Sequence, residues 1–480
     1  MQLYERTALE LGQLLRTGEV TQQEAAETAL SRIRAAQPDN NAFITVAHPA
    51  PPSSGRSASP LAGVPMAYKD NICTRGTPTT CASRLLEGFV PCYDATVVER
   101  LSAAGAVSMG KLNMDEFAMG STSEASCRGP VKNPWDLTRS AGGSSGGPAA
   151  AVAAREIWYA IGSDTGGSIR QPAACCGVTG MKPTYGTVSR YGLIAYASSL
   201  DQLGPIARSA ADCAAVLDLI QGRDRRDATS LDVPAGGLLS SLTGDLRGKK
   251  IGLPADCFGE GLDPEVRTAV LAAAQVLKAR GAAVEEFALP SLQYAVPAYY
   301  IIACAEASSN LSRFDGVKYG WRAEDYEDLT DLYCKTRTQG FGTEVKRRIL
   351  LGTFVLPSGY YDAYYKKALQ VKAIIQKAFD EAFARYDLLL TPVSPATAPR
   401  LGESLTDPLK MYLSDSYTVP ANLAGLPALS MPCGFDGKGM PIGAQLIGPA
   451  LGDGAVLNAA HAFQQETGWH KKAPKGGDAQ

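Results

Sequence analysis

The chain has 480 residues, of which 45% are hydrophobic and 20% are charged, as in globular proteins with a large core. Its 46 Lys and Arg residues nearly balance 48 Asp and Glu residues, which gives a formal net charge of −2. This balance excludes a dominant nucleic-acid-binding face, since such a face normally produces a basic excess. Large α/β enzymes of this length often fold as one domain.

The N-terminus and the cysteines indicate the compartment. Charged Glu5 and Arg6 stand where a secretory signal peptide needs its apolar core. No apolar run approaches the roughly 20 residues that cross a bilayer. The 11 cysteines are an odd number and form no C-x-x-C pair, which favours small core residues over a disulfide framework. The sequence therefore predicts a cytoplasmic protein that does not bind membranes.

The first part of the chain predicts helices, a loop and a short strand. Capping boxes that begin at Thr7 and Thr21 start two helices, and Gly18 ends the first of them. Asp94 is expected to cap a third helix. The predicted elements are two helices within 7–36, a Pro- and Ser-rich loop at 48–60, a helix ending at Gly105 and a strand at 106–109.

The rest of the chain alternates strands and helices. Strands are predicted at 249–253, 283–287, 387–390, 429–432 and 441–447, and helices from about 148, at 263–281, within 295–385 and at 454–467. A mobile tail is expected from Lys471. This alternation predicts an α/β fold for a single domain over 1–480, with a mixed β-sheet covered by helices.

One glycine-rich segment resembles a phosphate-binding loop. Gly105 to Lys111 match the pattern G-x-x-x-x-G-K, but Leu112 stands where Mg²⁺ needs a Ser or Thr hydroxyl. The first glycine also ends a helix instead of following a strand. A helix C-cap followed by a short strand is therefore the favoured interpretation.

A second segment, 142–146, matches the G-x-S-x-G nucleophile elbow of α/β-hydrolases. That class needs a histidine base later in the chain. The sequence has three histidines: His48 in the Pro-rich loop, His461 on the last predicted helix and His470 near the end. A structural role is expected for His461, and a Ser-His-Asp enzyme stays open as an alternative.

A lysine can serve as the base of a serine nucleophile if it is uncharged. Burial lowers a lysine pKa from about 10.4 towards ~7–8, where the neutral amine accepts a proton. Lys69, at the end of a short apolar segment, fits this role. Composition alone favours the alternative of a surface lysine paired with Asp70.

Three motifs in combination favour the catalytic role of Lys69 over the surface ion pair. The segment G-V-P-M-A-Y-K-D-N contains Lys69, the loop G-G-S-S-G-G contains Ser144, and D-T-G-G-S places Ser168 24 residues after Ser144. In order and spacing they resemble the amidase signature family, whose Ser–cis-Ser–Lys triad they match. The resemblance covers about residues 5–470, with the signature core at about 60–215.

The resemblance implies a role for each triad residue. Ser168 would attack the substrate carbonyl. Ser144 would relay the proton of Ser168 to neutral Lys69, and the family holds this serine through a cis peptide, here Gly143–Ser144.

The same resemblance assigns the oxyanion hole to the backbone at Thr165, Gly166 and Gly167. Glycine lets consecutive amides converge on one anion. Ser145 would support the triad as a neighbouring hydrogen-bond donor, although a structural loop serine is nearly as consistent with the sequence.

Further motifs narrow the resemblance, such as M-K-P-T-Y-G at 181–186 and G-Y-Y-D-A-Y-Y at 359–365. They are similar to the amidase subunits of tRNA-dependent amidotransferases, whose substrate is free glutamine. The resemblance then implies that Arg348 binds the α-carboxylate, Asp415 binds the α-ammonium and Tyr299 positions the substrate.

The residues themselves also allow simpler roles. Arg348 lies in the run K-R-R, which is typical of a solvated helix face, and Asp415 could be only a helix cap. Arg170 and Asp201 are predicted to belong to structural ion pairs.

The resemblance also implies partners. Glutamine would form a glutamyl-Ser168 ester, and its ammonia would pass to a partner, the B subunit, which uses ATP and Mg²⁺ to convert Glu-tRNA(Gln) to Gln-tRNA(Gln). A small C subunit would complete a heterotrimer, and tRNA would bind mainly to the B subunit. No cofactor or metal is expected in this chain. The alternatives are a stand-alone amidase signature hydrolase of another amide and a scaffold without activity, against which the intact triad argues.

Overall fold

The computed structural model of the protein describes residues 2–47 and 58–474, in which strands and helices alternate. The strands are β1 (Phe43–Val46), β2 (Pro65–Lys69), β3 (Val107–Leu112), β4 (Lys132–Asn133), β5 (Asp136–Ser140), β6 (Tyr159–Asp164), β7 (Thr179–Lys182), β8 (Gln202–Ala207), β9 (Lys250–Pro254), β10 (Ala283–Phe287), β11 (Leu388–Pro392), β12 (Ala428–Phe435) and β13 (Pro441–Ile447). The helices are α1 (Ala8–Thr17), α2 (Gln22–Asn40), α3 (Thr96–Ala103), α4 (Gly146–Ala153), α5 (Arg170–Cys176), α6 (Ala210–Ile220), α7 (Pro264–Ala279), α8 (Ala295–Asn310), α9 (Leu329–Gly340), α10 (Thr343–Val355), α11 (Lys367–Phe383), α12 (Glu403–Thr406), α13 (Pro408–Ser414), α14 (Val419–Leu423) and α15 (Asp453–Glu466).

Within the described residues, 11 strands form one mixed sheet in the order β1-β3-β2-β6-β8-β7-β12-β13-β11-β9-β10. β2 runs parallel to β3 and to β6, and β9 runs parallel to β10 and to β11. The remaining neighbours in this sheet are antiparallel, and β4 pairs with β5 in a separate ribbon. The predicted α/β fold with a mixed, helix-covered sheet is confirmed.

Two large apolar cores of the described residues hold the helices to the sheet. The larger core packs α4, α6, α7 and α15 against the strands. The second core joins α8 to α10, α11 and α14, on the side of the molecule that the sequence predicts to be mainly helical. Burial of this apolar surface is the main favourable contribution to folding.

The local helix signals are mostly confirmed. Thr7 and Thr21 accept hydrogen bonds from the N–H groups three residues later, and Gly18 ends α1 with φ of 79°. The prediction that Asp94 caps α3 is wrong. The capping position is Ala95, and Asp94 Oδ1 instead accepts from the N–H of Arg75 at 2.7 Å.

The later elements are confirmed with shifted ends, and α4 begins at Gly146 rather than near Pro148. Of the predicted loop at 48–60, residues 48–57 lie outside the described residues. Of the predicted tail, Lys471 ends a 3₁₀ turn, and 475–480 lie outside the described residues. In the part of the chain that the structure describes, every helix is too short or too polar to cross a membrane.

Candidate active site

The candidate site lies where parallel strands β2 and β6 end. Lys69 is the last residue of β2. Ser168 lies in the turn between β6 and α5, and Ser144 lies just before α4. Because the carboxyl ends of parallel neighbours meet at one edge of a sheet, the fold brings the three sequence motifs together.

Lys69 is fully buried and has three hydrogen bonds. Its Nζ donates to Ser144 Oγ at 2.7 Å, to Ser163 Oγ at 2.9 Å and to the Ser163 carbonyl at 3.3 Å. Burial lowers the pKa of Lys69 to about 7, although the nearby carboxylates of Asp115 and Asp164 oppose the shift. At neutral pH a large fraction of this amine is therefore able to accept a proton.

The alternative of a surface lysine paired with its neighbour is wrong. Lys69 is 0% exposed, and Asp70 pairs instead with Lys111, with Nζ and Oδ1 3.5 Å apart. Lys111 also donates to the Ile72 carbonyl and to Thr79 Oγ1, each at 2.7 Å. Since these contacts occupy Lys111 inside β3, the phosphate-loop interpretation is wrong as well.

The loops that contain Ser144 and Ser168 are joined by a backbone hydrogen bond. The N–H of Ser145 donates to the Ser168 carbonyl at 3.1 Å, and the Gly143–Ser144 peptide is cis. Ser144 is fully buried, whereas Ser168 is 8% exposed. The hydroxyls of Ser144 and Ser168 are not hydrogen-bonded to each other within the described residues. Catalytic hydrogen bonds are often long without substrate, so this geometry is compatible with a proton relay between the two serines.

Gly143 has no room for a side chain. A Cβ there would lie 2.2 Å from Asp115 Oδ2 and 2.7 Å from the N atoms of Thr122 and Ser123. Asp115 Oδ2 accepts from the N–H of Ser123 at 2.8 Å, and burial raises the pKa of Asp115 to about 6. This close contact explains why the loop before Ser144 needs glycine.

The loop from Thr165 to Ser168, here called the oxyanion loop, differs from the sequence assignment of the oxyanion hole at one position. The N–H of Gly167, whose φ is 139°, donates to Asp164 Oδ1 at 2.9 Å and is therefore already used. The N–H groups of Thr165, Gly166 and Ser168 have no acceptor in the described part of the chain. These three amides, and not that of Gly167, are therefore the candidate donors to an oxyanion.

Asp164 and Arg170 form a buried ion pair at 3.0 Å, as predicted for Arg170. Burial alone would raise the pKa of Asp164, but the neighbouring Arg170 guanidinium holds this pKa well below its usual range. The ion-pair prediction for Asp201 is wrong. Its carboxylate accepts from Thr165 Oγ1 at 2.7 Å and from the N–H of Tyr196 at 2.9 Å. Through Thr165, Asp201 fixes the position of the oxyanion loop.

Arg348 is buried in α10, with 2% exposure, so the solvated-face interpretation is wrong. Its Nε donates to Glu344 Oε1 and its Nη1 to Tyr196 OH, each at 2.8 Å. Its Nη2 is buried without a hydrogen-bond partner among the described residues. A buried charged donor without a partner is costly, which makes this atom a candidate for binding a ligand.

Asp415 and Tyr299 lie on the same side of the site. Asp415 is the C-cap residue of α13, but its buried carboxylate also accepts from Ser121 Oγ and from Tyr300 OH, each at 2.8 Å. Burial raises the pKa of Asp415 to about 6. Tyr299 is 3% exposed, and a Cβ added at Gly166 would lie 2.6 Å from its ring. Tyr299 therefore packs against the oxyanion loop.

The two histidines that the structure describes, His461 and His470, do not take part in the serine hydrogen bonds. Nε2 of His461 lies 2.9 Å from Nε2 of Gln465 on the same helix. Burial lowers the pKa of His470 to about 4. His48 lies outside the described residues. Because Lys69, not a histidine, contacts Ser144, the geometry favours the lysine base over the hydrolase elbow.

Two features of the site escaped the sequence analysis. Ser163 was not singled out, yet it supplies two of the three acceptors of Lys69 and also accepts from Asn71 Nδ2 at 2.9 Å. Ser145 Oγ donates to the Ser163 carbonyl at 3.1 Å, which makes Ser145 a support for the lysine. The position of Ser163 inside the motif G-S-D-T-G-G-S was the available signal.

Comparison with known proteins agrees with this geometry. The family model described as Amidase matches residues 24–457. The chain belongs to the amidase family. Among amidases it is 57% identical over 478 residues to the A subunit of glutamyl-tRNA(Gln) amidotransferase of Lachnospira eligens, covering 98% of this chain and 99% of the relative.

Solved amidase structures share the fold. The crystal structure of the glutamyl-tRNA(Gln) amidotransferase A subunit from Thermotoga maritima matches with a TM-score of 0.85 and 41% identity, over 99% of this chain and 98% of that one. The peptide amidase from Stenotrophomonas maltophilia matches with a TM-score of 0.80 and 31% identity, over 96% and 97%. The resemblance to amidase subunits of tRNA-dependent amidotransferases, inferred from the motifs, is confirmed.

Proposed function

We propose that this amidase hydrolyses glutamine and supplies ammonia for the conversion of Glu-tRNA(Gln) to Gln-tRNA(Gln) by a partner subunit. The observation that carries the proposal is the hydrogen bond between the buried Lys69 amine and Ser144, next to the loop that contains Ser168. Relatives along the whole chain bear the name of the A subunit of glutamyl-tRNA(Gln) amidotransferase, which supports this choice among the amidase reactions.

Neutral Lys69 is the base of the proposed mechanism. It takes the proton of Ser144, which takes the proton of Ser168, while Ser168 Oγ attacks the amide carbon of glutamine. The proton returns along the same path to the leaving nitrogen, and ammonia departs from a glutamyl-Ser168 ester. Water, activated by the same base, then hydrolyses the ester to glutamate.

The negative charge that develops on the amide oxygen is stabilised by backbone amides. The free N–H groups of Thr165, Gly166 and Ser168 belong to the turn before α5. Removing one such donor typically costs about 2.7–4 kcal/mol of transition-state stabilisation. Asp164 and Asp201 hold this turn in place.

The α-carboxylate and the α-ammonium of free glutamine are each bound by a side chain of opposite charge. Nη2 of Arg348 is available for the α-carboxylate, and Asp415 is available for the α-ammonium. Tyr299, packed against Gly166, limits the space around the side-chain amide. A simple amide would leave Nη2 of Arg348 without an acceptor and would bring no cation to the Asp415 carboxylate, so the site favours a zwitterionic substrate.

The complex is proposed to be a cytoplasmic heterotrimer with the B and C subunits of the amidotransferase. The B subunit would bind tRNA and use ATP and Mg²⁺, and this chain would hold neither a cofactor nor a metal. The balanced charge of the chain supports this division, since tRNA binding normally needs a basic surface.

A glutaminase assay with and without the two partner subunits, ATP and Glu-tRNA(Gln) tests the proposal. The expected result is release of glutamate and ammonia from glutamine, stimulated by the complete complex, with glutamine-dependent formation of Gln-tRNA(Gln). Rapid hydrolysis of simple amides without partners, together with no action on free glutamine, would support the alternative of a stand-alone amidase.

A further inference from the structure

Glu344 holds the guanidinium of Arg348 from one helical turn away on α10. Its Oε1 accepts from Arg348 Nε at 2.8 Å and from Tyr412 OH at 3.0 Å. Its Oε2 accepts from Arg347. The side chains of Glu344 and Arg348 are 10% and 3% exposed. This pair is therefore shielded from water, unlike most charge pairs at this spacing on a helix.

Aromatic rings complete the enclosure of Arg348. Its guanidinium carbon lies 5.5 Å from the ring centre of Tyr196, 5.2 Å from that of Tyr300 and 5.7 Å from that of Tyr412. Glu344 accepts from Nε and Tyr196 accepts from Nη1, which leaves Nη2 as the nitrogen of this guanidinium without a hydrogen-bond partner among the described residues. One orientation is thus fixed before any ligand binds, which avoids part of the entropy loss of binding.

A tyrosine pair joins the two charged ends of the site. The ring centres of Tyr300 and Tyr412 lie 4.2 Å apart. Tyr300 OH donates to Asp415 Oδ2 at 2.8 Å, while Tyr412 OH donates to Glu344 Oε1. The position of Arg348 is therefore coupled to that of Asp415 through side chains that pack against each other.

We propose that Glu344, supported by Tyr412, is a specificity-determining positioning residue that aims Arg348 Nη2 at the carboxylate of the substrate. Glu344 acts through Arg348 and does not itself touch the substrate. This positioning of Arg348 makes the enzyme selective for amides of α-amino acids over amides that lack a free carboxylate. The inference rests on the proposed glutamine site.

The test is steady-state glutaminase kinetics of Glu344→Gln in the complete complex, with L-glutamine and with 4-aminobutanamide, which lacks the carboxylate. The KM for glutamine should rise about tenfold, with kcat changed less than about twofold. The KM for 4-aminobutanamide should stay at the value of the unaltered protein. In an Arg348→Ala background, Glu344→Gln should add no further increase in the glutamine KM.

Glu381→Gln is the matched control. Glu381 pairs with Lys377 at the same spacing on α11, but both side chains are exposed, so both KM values should be unchanged. An equal rise in KM for both substrates in Glu344→Gln would overturn the inference and show a structural role. An unchanged glutamine KM in Glu344→Gln, when Arg348→Ala raises it, would also overturn it and leave the glutamine site standing. If Arg348→Ala has no effect, the proposed glutamine site itself fails.

Discussion

Asp70 forms its ion pair with Lys111, at 3.5 Å, and not with Lys69, its neighbour in the chain. Consecutive side chains of a strand point to opposite faces of the sheet, so Lys69 faces the serine loops while Asp70 lies on the other face, with Lys111. The hydrogen bonds of Lys69 go to uncharged groups of Ser144 and Ser163. Burial therefore outweighs the more distant carboxylates, and the pKa of Lys69 falls to about 7.

The Asp70–Lys111 pair is expected to stabilise the fold without a part in nucleotide binding. Lys111→Met should lower the free energy of unfolding by about 3–5 kcal/mol, because it leaves the Asp70 carboxylate buried without its cation. Denaturant titration measures this change. Lys377→Met, which removes an exposed ion pair on α11, should change the free energy of unfolding by less than about 0.5 kcal/mol. Equal effects of the two substitutions would contradict this account.

Ser168→Ala should abolish glutamine-dependent amidation and spare amidation with free ammonia. In the proposed mechanism Ser168 supplies the nucleophile, whereas free ammonia bypasses the glutaminase step. The measurement is formation of Gln-tRNA(Gln) by the complete complex with each nitrogen donor. Equal loss of both activities would indicate that Ser168 has a structural role instead.

Arg348→Ala should raise the KM for glutamine far more than Ser145→Ala does. A charge-assisted contact of about 1.5–3 kcal/mol corresponds to roughly ten- to a hundredfold in binding. Ser145 Oγ contacts the Ser163 carbonyl, beside Lys69, and has no hydrogen bond to Arg348 among the described residues. Glutaminase kinetics of both variants decide the matter, and an unchanged KM in Arg348→Ala would remove it from the substrate site.

The KM for glutamine should rise as the pH falls through about 6. Burial raises the pKa of Asp415 to about 6, and only the ionised carboxylate attracts the α-ammonium. Above this pH the carboxylate is charged and the KM should be constant. Asp415→Asn should show a high KM with no such inflection. A KM for the unaltered protein that is independent of pH between about 5 and 8 would argue against the role of Asp415.

Local signals in the sequence predicted local structure well. The helix starts at Thr7 and Thr21 and the strand–helix–strand unit around α7 depend on contacts within a few residues. Asp94 failed as a cap because its carboxylate is used by the distant N–H of Arg75. The motifs with Lys69 and Ser144 could be recognised because their order and spacing are specific.

The remaining features depend on contacts between distant segments. The run K-R-R gives no sign that Arg348 is buried, since Tyr196 and Tyr412, which enclose it, come from other parts of the chain. The use of the Gly167 amide by Asp164 depends on the detailed path of one turn. Neither the apolar pattern nor the residue types of these segments encode such pairings.

The central claim is that neutral Lys69 is the base, and single-turnover acylation by glutamine across pH tests it most directly. The unaltered protein should lose acylation as the pH falls below about 7, because Lys69 becomes protonated. Lys69→Ala should acylate very slowly, and Lys69→Arg should not restore the rate, since a guanidinium stays protonated. His461→Ala and His470→Ala should retain nearly the full rate. Substantial acylation by Lys69→Arg, or collapse in either histidine variant, would contradict the Ser-Ser-Lys assignment.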